Sequence, residues 1–222
     1  MKIHDISMPL VNGMPVWPGD QAYAFKQNWS QSNGDSVNVG EIRSSVHVGT
    51  HADSPRHVDS DGLTIDKLDL AIFVGPAVVL DVTGVALIEP SHLETAAGKL
   101  GSHTFASLIA EVPRLLLRTM SWPDRSIFPE TFATLAESAA ALIVNSAARL
   151  LCVDVPSIDT RDSKTLPIHH TLIGRDRVSA GVQIVEAVVL DHNRPGFYDL
   201  IALPLKVVGG DGAPVRAVLI ER

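Results

Sequence analysis

Hydrophobic residues recur along the chain in short runs that glycine, proline, aspartate and asparagine separate. Runs of this length with many β-branched residues are typical of β-strands. The pattern predicts an alternating strand over 37–46 and apolar strands over 77–82, 115–118, 150–155, 187–190, 200–208 and 215–220. Helical segments fall between some of these runs, so the pattern indicates an α/β fold.

The clearest helix is predicted over 129–145. It begins at Pro129, since proline is favoured in the first helical turn, and Asn145 is a plausible stop. Its apolar positions recur at helical spacing along one face; they are Phe132, Leu135, Ala136, Ala139, Leu142 and Ile143. Shorter helices are predicted over 65–70 and 92–97.

Composition narrows the class of protein. The 222 residues include 18 basic and 25 acidic side chains, a net charge of −7, and no basic run, which argues against binding to nucleic acid or anionic lipid. A hydrophobic fraction of 45% and a charged fraction of 19% exclude a disordered chain. Because the sequence has neither a repeat nor a linker-like stretch, we expect one α/β domain spanning 1–222 with a β-rich core.

Signals for membrane insertion and secretion are missing from the sequence. The longest nearly apolar stretch, 70–80, contains Gly75 and Pro76 and is too short to cross a bilayer. An early acidic residue and three prolines argue against a secretory leader, so we expect a cytoplasmic protein with no membrane partner. The single cysteine, Cys152, excludes an intramolecular disulfide and a cysteine metal cluster, and we expect it to be an inert core thiol.

The most informative segment is 47–57, HVGTHADSPRH. Three of the nine histidines and one aspartate occupy odd positions in it, namely His47, His51, Asp53 and His57. Alternate side chains of an extended chain share a face, so these four groups are predicted to point the same way. A helix would also bring His47 near His51, but the glycine, threonine and proline within the segment disfavour one.

Imidazole nitrogens and a carboxylate suit a divalent metal ion, with Zn²⁺, Mn²⁺ and Fe²⁺ as candidates. Three ligands leave a coordination position for water, and bound Zn²⁺ lowers the pKa of that water to about 7. Asp53 has two oxygens and can bridge two metal ions, whereas His57 can stay unligated and move protons. The alternative is that all four are ordinary polar residues on a solvated strand face.

This segment resembles the signature HxGTHxDxPxH of the metal-dependent cyclase-like hydrolases, and within that family the bacterial kynurenine formamidases. The resemblance runs nearly from end to end; the matching segments are IHDISMPL, PVWPGD, VNVGEIRSSVHVGTHADSPRH, LLLRT, DVPSIDTRDSKTLPIHH, IVEAVVLD and YDLIALPLKVVGGDGAPVRAVL. The presence of both PVWPGD and DVPSIDTRDSKTL narrows the resemblance to the formamidases. The fold it implies is a compact α/β domain of the cyclase type, with a mixed β core flanked by helices, that assembles as a homodimer or higher homo-oligomer.

The resemblance also implies a site with two Zn²⁺ ions per subunit, or Mn²⁺ or another divalent metal in their place. The implied metal ligands are His47, His51, Asp53, His169 and Glu186, with Asp53 bridging. His57 matches the family's proton donor and acceptor, and Trp17 matches a tryptophan that contacts substrate. The implied reaction is hydrolysis of the small molecule N-formyl-L-kynurenine to L-kynurenine and formate, in tryptophan degradation, by metal-bound hydroxide.

Read from the residues alone, the distal ligands stay open. His169 and His170 stand in tandem in a predicted loop, and Glu186 enters the apolar run 184–190, where an isolated acid is more often a solvent-facing residue. The resemblance favours His169, because the residues from His170 onward then match the family's continuation. Residues 175–179 form a charged insertion relative to the family, and we expect it to influence substrate preference.

Several other residues are assigned structural roles. The polar loop after the strand ending at Val155 is predicted to form turns and hydrogen bonds that support the site; it contains Ser157, Asp159, Asp162 and Ser163. Trp29 and Trp122 are predicted to be packing residues. The remaining isolated histidines are expected to take no part in the site; they are His4, His92, His103 and His192.

The sequence leaves more than one function open. Beside the formamidase, the alternative enzyme is another cyclase-family metal-dependent amidohydrolase that acts on a different aryl formamide or a cyclic amide. A non-catalytic metal-binding protein would need neither His57 nor Trp17. A serine hydrolase is disfavoured, because the sequence lacks a GxSxG nucleophile motif.

Overall fold

A nine-stranded mixed sheet with helices on one face makes up most of the protein. The computed structural model describes residues 1–174 and 181–222. The strands are β1 (Ile3–Asp5), β2 (Ala24–Trp29), β3 (Val39–Arg43), β4 (His51–Asp53), β5 (Val74–Asp81), β6 (Leu87–Ile88), β7 (Arg114–Arg118), β8 (Thr134–Leu135), β9 (Leu150–Val153), β10 (Gln183–Glu186), β11 (Gly196–Ile201), β12 (Gly212–Pro214) and β13 (Val218–Glu221). The helices are α1 (Pro90–Lys99), α2 (Phe105–Glu111), α3 (Glu137–Val144) and α4 (Pro167–Ile173).

The strands of the main sheet follow the order β1-β13-β11-β5-β7-β9-β10-β4-β12. The four strands in the middle, β5, β7, β9 and β10, are parallel, and the strands on both sides pair antiparallel. Parallel neighbours need long crossover connections, and the four helices lie within those crossovers. The predicted α/β fold with a mixed β core flanked by helices is confirmed.

The main sheet is curled. β12 lies at one edge and β13 is second from the other edge, yet only residues 215–217 join them. In a flat sheet the two strands would stand about 34 Å apart, seven strand spacings, whereas four steps of extended chain reach only about 14 Å. Hydrogen bonds from Ile6 N to Ala217 O (3.0 Å) and from Val215 N to Thr50 O (2.9 Å) hold the two ends together.

Each face of the sheet buries its own hydrophobic cluster. In β7, Leu115 and Leu117 pack against the helices, while Leu116 belongs to a second cluster inside the curl. That second cluster also contains Ala213 of β12 and Leu219 of β13, from opposite ends of the sheet. Burial of a leucine side chain stabilises the fold by about 1.5–3 kcal/mol. The unbroken apolar run of β7 therefore follows from burial on both faces.

A separate two-stranded hairpin, β2–β3, has every residue exposed. Phe25 and Ile42 are direct cross-strand partners and remain 46% and 63% exposed. Trp29, at the end of β2, is 55% exposed, so the prediction that it is a packing residue is wrong within this chain. The alternating strand predicted over 37–46 is confirmed in its middle part, β3.

The helix predicted over 129–145 is half correct. Its second half is α3, and Asn145 follows the last helical residue as predicted, with its N–H bonded to Ala141 O (3.0 Å). The first half contains β8, which pairs in parallel with β6 and places Leu135 opposite Ile88. Helical spacing was misleading there because pairing with β6, and not a helical face, accounts for the burial of Leu135.

The shorter helices agree with the prediction in part. The segment 92–97 lies within α1, as predicted, whereas 65–70 contains short 3-10 turns in place of a helix. α2 was not predicted. The prediction of a loop around His169 and His170 is wrong, because both residues lie in α4.

Four of the predicted strands are confirmed, and two are wrong in whole or in part. β5, β7, β9 and β13 fall on predicted runs. The strand predicted over 187–190 is wrong, since β10 ends before it at Glu186 and the next residue, Ala187, has a left-handed φ of 56°. The strand predicted over 200–208 ends at Ile201.

The structure bears on membrane-spanning helices and on the single cysteine. Among the described residues, no helix is both long enough and apolar enough to cross a membrane. Cys152 lies in β9 and is fully buried, and burial raises the pKa of its thiol. A protonated, inaccessible thiol is unreactive, as predicted.

Candidate metal centre

Three neighbouring strands at one end of the sheet, β10, β4 and β12, bring acidic and imidazole side chains together. The register places Glu186 opposite His51 and Gly212 opposite Asp53. Asp211 directly precedes β12. Residues that are more than 130 positions apart in the sequence thus become neighbours on adjacent strands.

The chain reaches and leaves β4 through tight turns. Gly49 adopts a left-handed conformation (φ 57°) just before the strand, and His57 ends the 3-10 turn just after it. The prediction of one extended strand is therefore correct only for 51–53. The turns nevertheless bring His47 and His57 to the same side, with their rings 4.3 Å apart.

Two groups of candidate ligands share Asp53. In the first, His47 Nδ1 and His51 Nε2 lie 2.9 Å and 3.5 Å from Asp53 Oδ1. In the second, His169 Nε2 lies 3.5 Å from Asp53 Oδ2 and 3.4 Å from Glu186 Oε1. Within each group the ligand atoms all lie within 4.8 Å of one another. The arrangement offers two three-residue sites joined by one carboxylate.

The surroundings of Asp53 favour a cation. Both carboxylate oxygens are buried, and although imidazole nitrogens approach to 2.9 Å and 3.5 Å, neither oxygen accepts a well-directed hydrogen bond from any described residue. A buried carboxylate in that situation is energetically costly unless a positive charge compensates it. Nitrogen and oxygen donors in this combination suit Zn²⁺ and similar divalent ions. The residues present therefore fit a pair of metal ions.

The histidines of the first group are held through the nitrogen that faces away from Asp53. His51 Nδ1 donates to Gly49 O at 2.8 Å, and His47 Nε2 donates to Asp211 Oδ2 at 2.9 Å. An acceptor on one ring nitrogen fixes the proton there and leaves the lone pair of the other nitrogen free for a metal. Asp211 was not predicted from the sequence.

Asp159 does the same for the second group. Its Oδ2 accepts from His169 Nδ1 at 2.7 Å, and its carboxylate also accepts the backbone N–H groups of Ile168 and His169 at 3.1 Å and 3.0 Å. The Asp159 carboxylate thus provides acceptors for the backbone N–H groups at the start of α4 and orients the imidazole of His169. The prediction that Asp159 supports the site through hydrogen bonds is confirmed.

The charges of the site shift the pKa values of its groups. Burial lowers the pKa of His47, but Asp53 and Asp211 outweigh it and raise the pKa to about 9. Burial also lowers the pKa of His169, but Asp159 and the neighbouring carboxylates hold it well above its usual range. Burial raises the pKa of Asp53, yet the nearby histidines keep it well below its ordinary value. Binding of a metal ion must therefore displace protons.

His57 differs from the other histidines of the site. Its ring lies 5.7 Å from that of His169 and belongs to neither ligand group that contains Asp53. Burial lowers its pKa, and together with the positive charges of His47 and His169 it outweighs the opposing effect of the Asp53 and Glu186 carboxylates. A neutral imidazole at the wall of a cavity can accept a proton at neutral pH.

A cavity of about 320 Å³ opens above the ligands. Part of its wall is aromatic: the rings of Trp17 and Phe128 meet edge to face at 5.4 Å, and Trp122 lies 6.3 Å from Phe128. Trp122 is buried, as predicted, and also lines the cavity. Phe128 was missed, because one phenylalanine in a loop carries no pattern. Size and lining suit a small aromatic molecule.

The predicted site residues come together. The predicted set lies at the cavity or in the ligand groups below it; it comprises Trp17, His47, His51, Asp53, His57, His169 and Glu186. His170 is exposed on α4 and is not part of either group, which favours His169 as the ligand of the tandem pair. The predicted insertion over 175–179 lies outside the described residues.

Comparison with known proteins identifies relatives over the whole chain. Residues 4–160 match the family described as "Putative cyclase". The kynurenine formamidase of Bacillus mycoides (strain KBAB4) is 42% identical over 215 residues, which cover 97% of this chain and 95% of that protein. The kynurenine formamidase of Geobacillus thermodenitrificans (strain NG80-2) is 40% identical with the same coverage.

Solved structures show the same fold. A "predicted metal-dependent hydrolase from Bacillus stearothermophilus" superposes with a TM-score of 0.76 at 29% identity, covering 100% of this chain and 98% of that one. Isatin hydrolase A from Labrenzia aggregata superposes with a TM-score of 0.81 over 100% of this chain and 94% of that one. At 21% identity, the second likeness is one of fold alone.

Proposed function

The chain belongs to the cyclase family, and from this premise we propose that it is a metal-dependent arylformamidase that hydrolyses N-formyl-L-kynurenine to L-kynurenine and formate. The observation that carries the proposal is the pair of ligand groups sharing Asp53 at the floor of an aromatic cavity. About 40% identity to proteins named kynurenine formamidase, over nearly the whole chain, supports the choice of substrate.

We propose that two divalent ions bind per subunit, Zn²⁺ in the first instance and Mn²⁺ or another divalent metal as the alternative. One site consists of His47, His51 and Asp53. The other consists of Asp53, His169 and Glu186. When bound, such ions lower the pKa of water and stabilise negative charge on a carbonyl oxygen, which is the help that an unreactive amide needs.

In the proposed reaction His57 moves the proton. Its imidazole is neutral at pH 7, because burial lowers its pKa, and it accepts a proton from the attacking water. As the carbon–nitrogen bond breaks, His57 returns this proton to the departing aryl nitrogen. The nitrogen becomes the amine of L-kynurenine, and the former formyl carbon leaves as formate.

The aromatic wall holds the substrate in the proposed complex. Trp17 and Phe128 form an edge-to-face pair beside the ligand groups, so an aryl ring can contact one face or edge of either side chain. Contact with the aryl ring fixes the position of the formamide that the ring carries. A reacting group that is already held in place loses less entropy on reaching the transition state.

Formate release tests the proposed function. The purified protein should release formate from N-formyl-L-kynurenine, lose this activity on chelation, and regain it with Zn²⁺. Formanilide and isatin, tested in parallel, separate aryl formamides from a cyclic amide. Folded, metal-loaded protein that releases no formate would contradict the proposal; hydrolysis of the cyclic amide alone would favour the alternative enzyme, and no hydrolysis at all a metal-binding protein.

We also propose a homodimer or higher homo-oligomer, supported by the hairpin β2–β3. An isolated two-stranded hairpin is marginally stable in water, yet this one leaves Phe25, Trp29 and Ile42 exposed. A second copy of the chain that packs on this face would bury them. Light scattering should give a mass of at least twice 23.8 kDa, and Phe25→Ser should lower it. A monomer at micromolar concentration would contradict this proposal.

A further inference from the structure

We propose that Asp211 is a positioning residue that holds both a metal ligand, His47, and the proton carrier, His57. The inference rests on the proposed function, because it assigns a role within that reaction to a residue outside the predicted ligand set. Asp211 belongs to the loop before β12 and is separated by more than 150 positions from both histidines in the sequence.

The side chain of Asp211 lies between the two rings. Its Oδ2 is 2.9 Å from His47 Nε2 and 3.5 Å from His57 Nδ1. The opposite nitrogen of His47, Nδ1, faces Asp53 at 2.9 Å. A proton held on Nε2 by Asp211 therefore leaves Nδ1 with the lone pair that a metal requires. The same carboxylate lies beside Nδ1 of His57, so the other nitrogen, Nε2, is the one assigned to proton transfer.

The backbone of this loop is fixed by the strand that carries the ligands. Asp211 O accepts hydrogen bonds from both Ser54 N (2.9 Å) and Ser54 Oγ (3.0 Å), and Ser54 is fully buried. The next residue, Gly212, leaves room for the ring: a Cβ there would lie 2.8 Å from His47 Cε1. The loop is thus built around the imidazole of His47, and the backbone of Asp211 cannot shift without moving the segment that follows Asp53.

Asp211 and Asp159 divide the support of the two ligand groups between them. Asp159 holds His169 of the second group, whereas Asp211 holds His47 of the first. Only Asp211 also approaches His57. Removal of one carboxylate should therefore weaken one metal site and leave the other intact, and only the removal of Asp211 should disturb proton transfer as well.

Zinc binding provides the first test, independent of activity. Metal-free wild-type, Asp211→Asn and Asp159→Asn proteins are titrated with Zn²⁺ in competition with a chromophoric chelator. The matched control is Asp199→Asn, a partly exposed aspartate of β11 that pairs with Arg222, the residue after β13. We expect Asp211→Asn to weaken one of the two zinc equivalents by roughly 10–100-fold, Asp159→Asn to weaken the other, and Asp199→Asn to change neither.

Gly212→Ala is a second variant for the same site. Its added methyl group would lie 2.8 Å from His47 Cε1 and 2.9 Å from Ala52 O of β4, so it should weaken the zinc equivalent that His47 holds at least as much as Asp211→Asn does. Wild-type affinity for both equivalents in Asp211→Asn would overturn the inference. Circular dichroism of each variant confirms that the metal-free protein is folded.

Formate release at saturating Zn²⁺ provides the second test. Asp211→Asn should lower kcat with little change in KM, and the loss should shrink several-fold when His57→Ala is already present, because part of the effect acts through His57. An equal loss in both backgrounds would overturn the link to His57. If the wild type released no formate, the proposed function would fail, and the zinc titration would still decide the role of Asp211 at the metal site.

Discussion

His57 lines the cavity and lies outside the two ligand groups that share Asp53. We expect His57→Ala to lower kcat for formate release by about 10²–10⁴-fold, the usual contribution of a positioned acid–base group. Zinc content should stay at the wild-type value, because no ligand is removed. Steady-state kinetics and metal analysis of one preparation check both statements, and a wild-type kcat would contradict the assignment.

The tandem histidines on α4 allow a matched comparison at neighbouring positions. His169→Ala should lose one zinc equivalent, because the second group then retains only Asp53 and Glu186. His170→Ala should keep both equivalents, since His170 is exposed and outside that group. Metal analysis after dialysis against dilute Zn²⁺ measures the difference, and the reverse result would assign the ligand role to His170.

At the scale of single residues, local spacing decides what the sequence can predict. The four groups of 47–57 lie within one signature, so their convergence could be predicted, even though turns and not one strand produce it. Asp211 and Phe128 could not be predicted. Each is a single polar or aromatic residue in a loop, and only long-range pairing brings it to the site.

Among the elements, β7 should contribute more to stability than any exposed turn. Leu117 is fully buried between the sheet and the helices, so Leu117→Ala should lower the free energy of unfolding by about 2–5 kcal/mol. The matched control Leu70→Ala, where the side chain is 59% exposed, should change it by less than about 0.5 kcal/mol. Urea unfolding followed by circular dichroism measures both, and similar losses would contradict this account of the core.

The elements also show where the hydrophobic pattern predicts secondary structure correctly and where it does not. β7 and β9 are buried on both faces, and a continuous apolar run predicts such strands well. β8 has only two residues, and Leu135 happens to continue the helical spacing of α3, so pattern alone extends the helix too far. The end at Asn145 could be predicted, because a local stop signal sets it.

For the molecule as a whole, the metal-free protein should lose stability as pH rises. The folded pKa of His47 is about 9, above its ordinary value of 6.5, so its contribution is complete below pH 6.5 and is lost as pH rises through about 9. His169 shifts in the same direction. The Tm of chelator-treated protein should be higher at pH 6.0 than at pH 8.5, and an equal or higher Tm at pH 8.5 would contradict these pKa shifts.

Zinc affinity should follow the opposite trend. A metal ion must displace the protons that His47 and His169 hold, so the affinity should rise between pH 6.0 and pH 8.5. Competition with a chelator of known pH dependence measures this rise. A proton-release signal on mixing metal-free protein with Zn²⁺ in weak buffer should accompany it.

The class of the whole fold could be predicted from the sequence, but the arrangement of its strands could not. Short apolar runs with helices between them indicate an α/β domain. They do not reveal that β4 lies between β10 and β12, because neither pairing leaves a local trace in the sequence. The curl depends on the same long-range pairing and on the short 215–217 connection.

The position of β4 in the sheet has a consequence for the order of events during protein synthesis. β4 carries His51 and Asp53, but its partner Glu186 is translated 135 positions after His51. At about 5–20 residues per second, the ribosome needs roughly 7–27 s to supply that partner. During this interval the first ligand group, His47, His51 and Asp53, is already synthesised, whereas the second group still lacks Glu186. The two sites therefore become available in sequence, and the second can take a metal ion only after β10 has paired with β4.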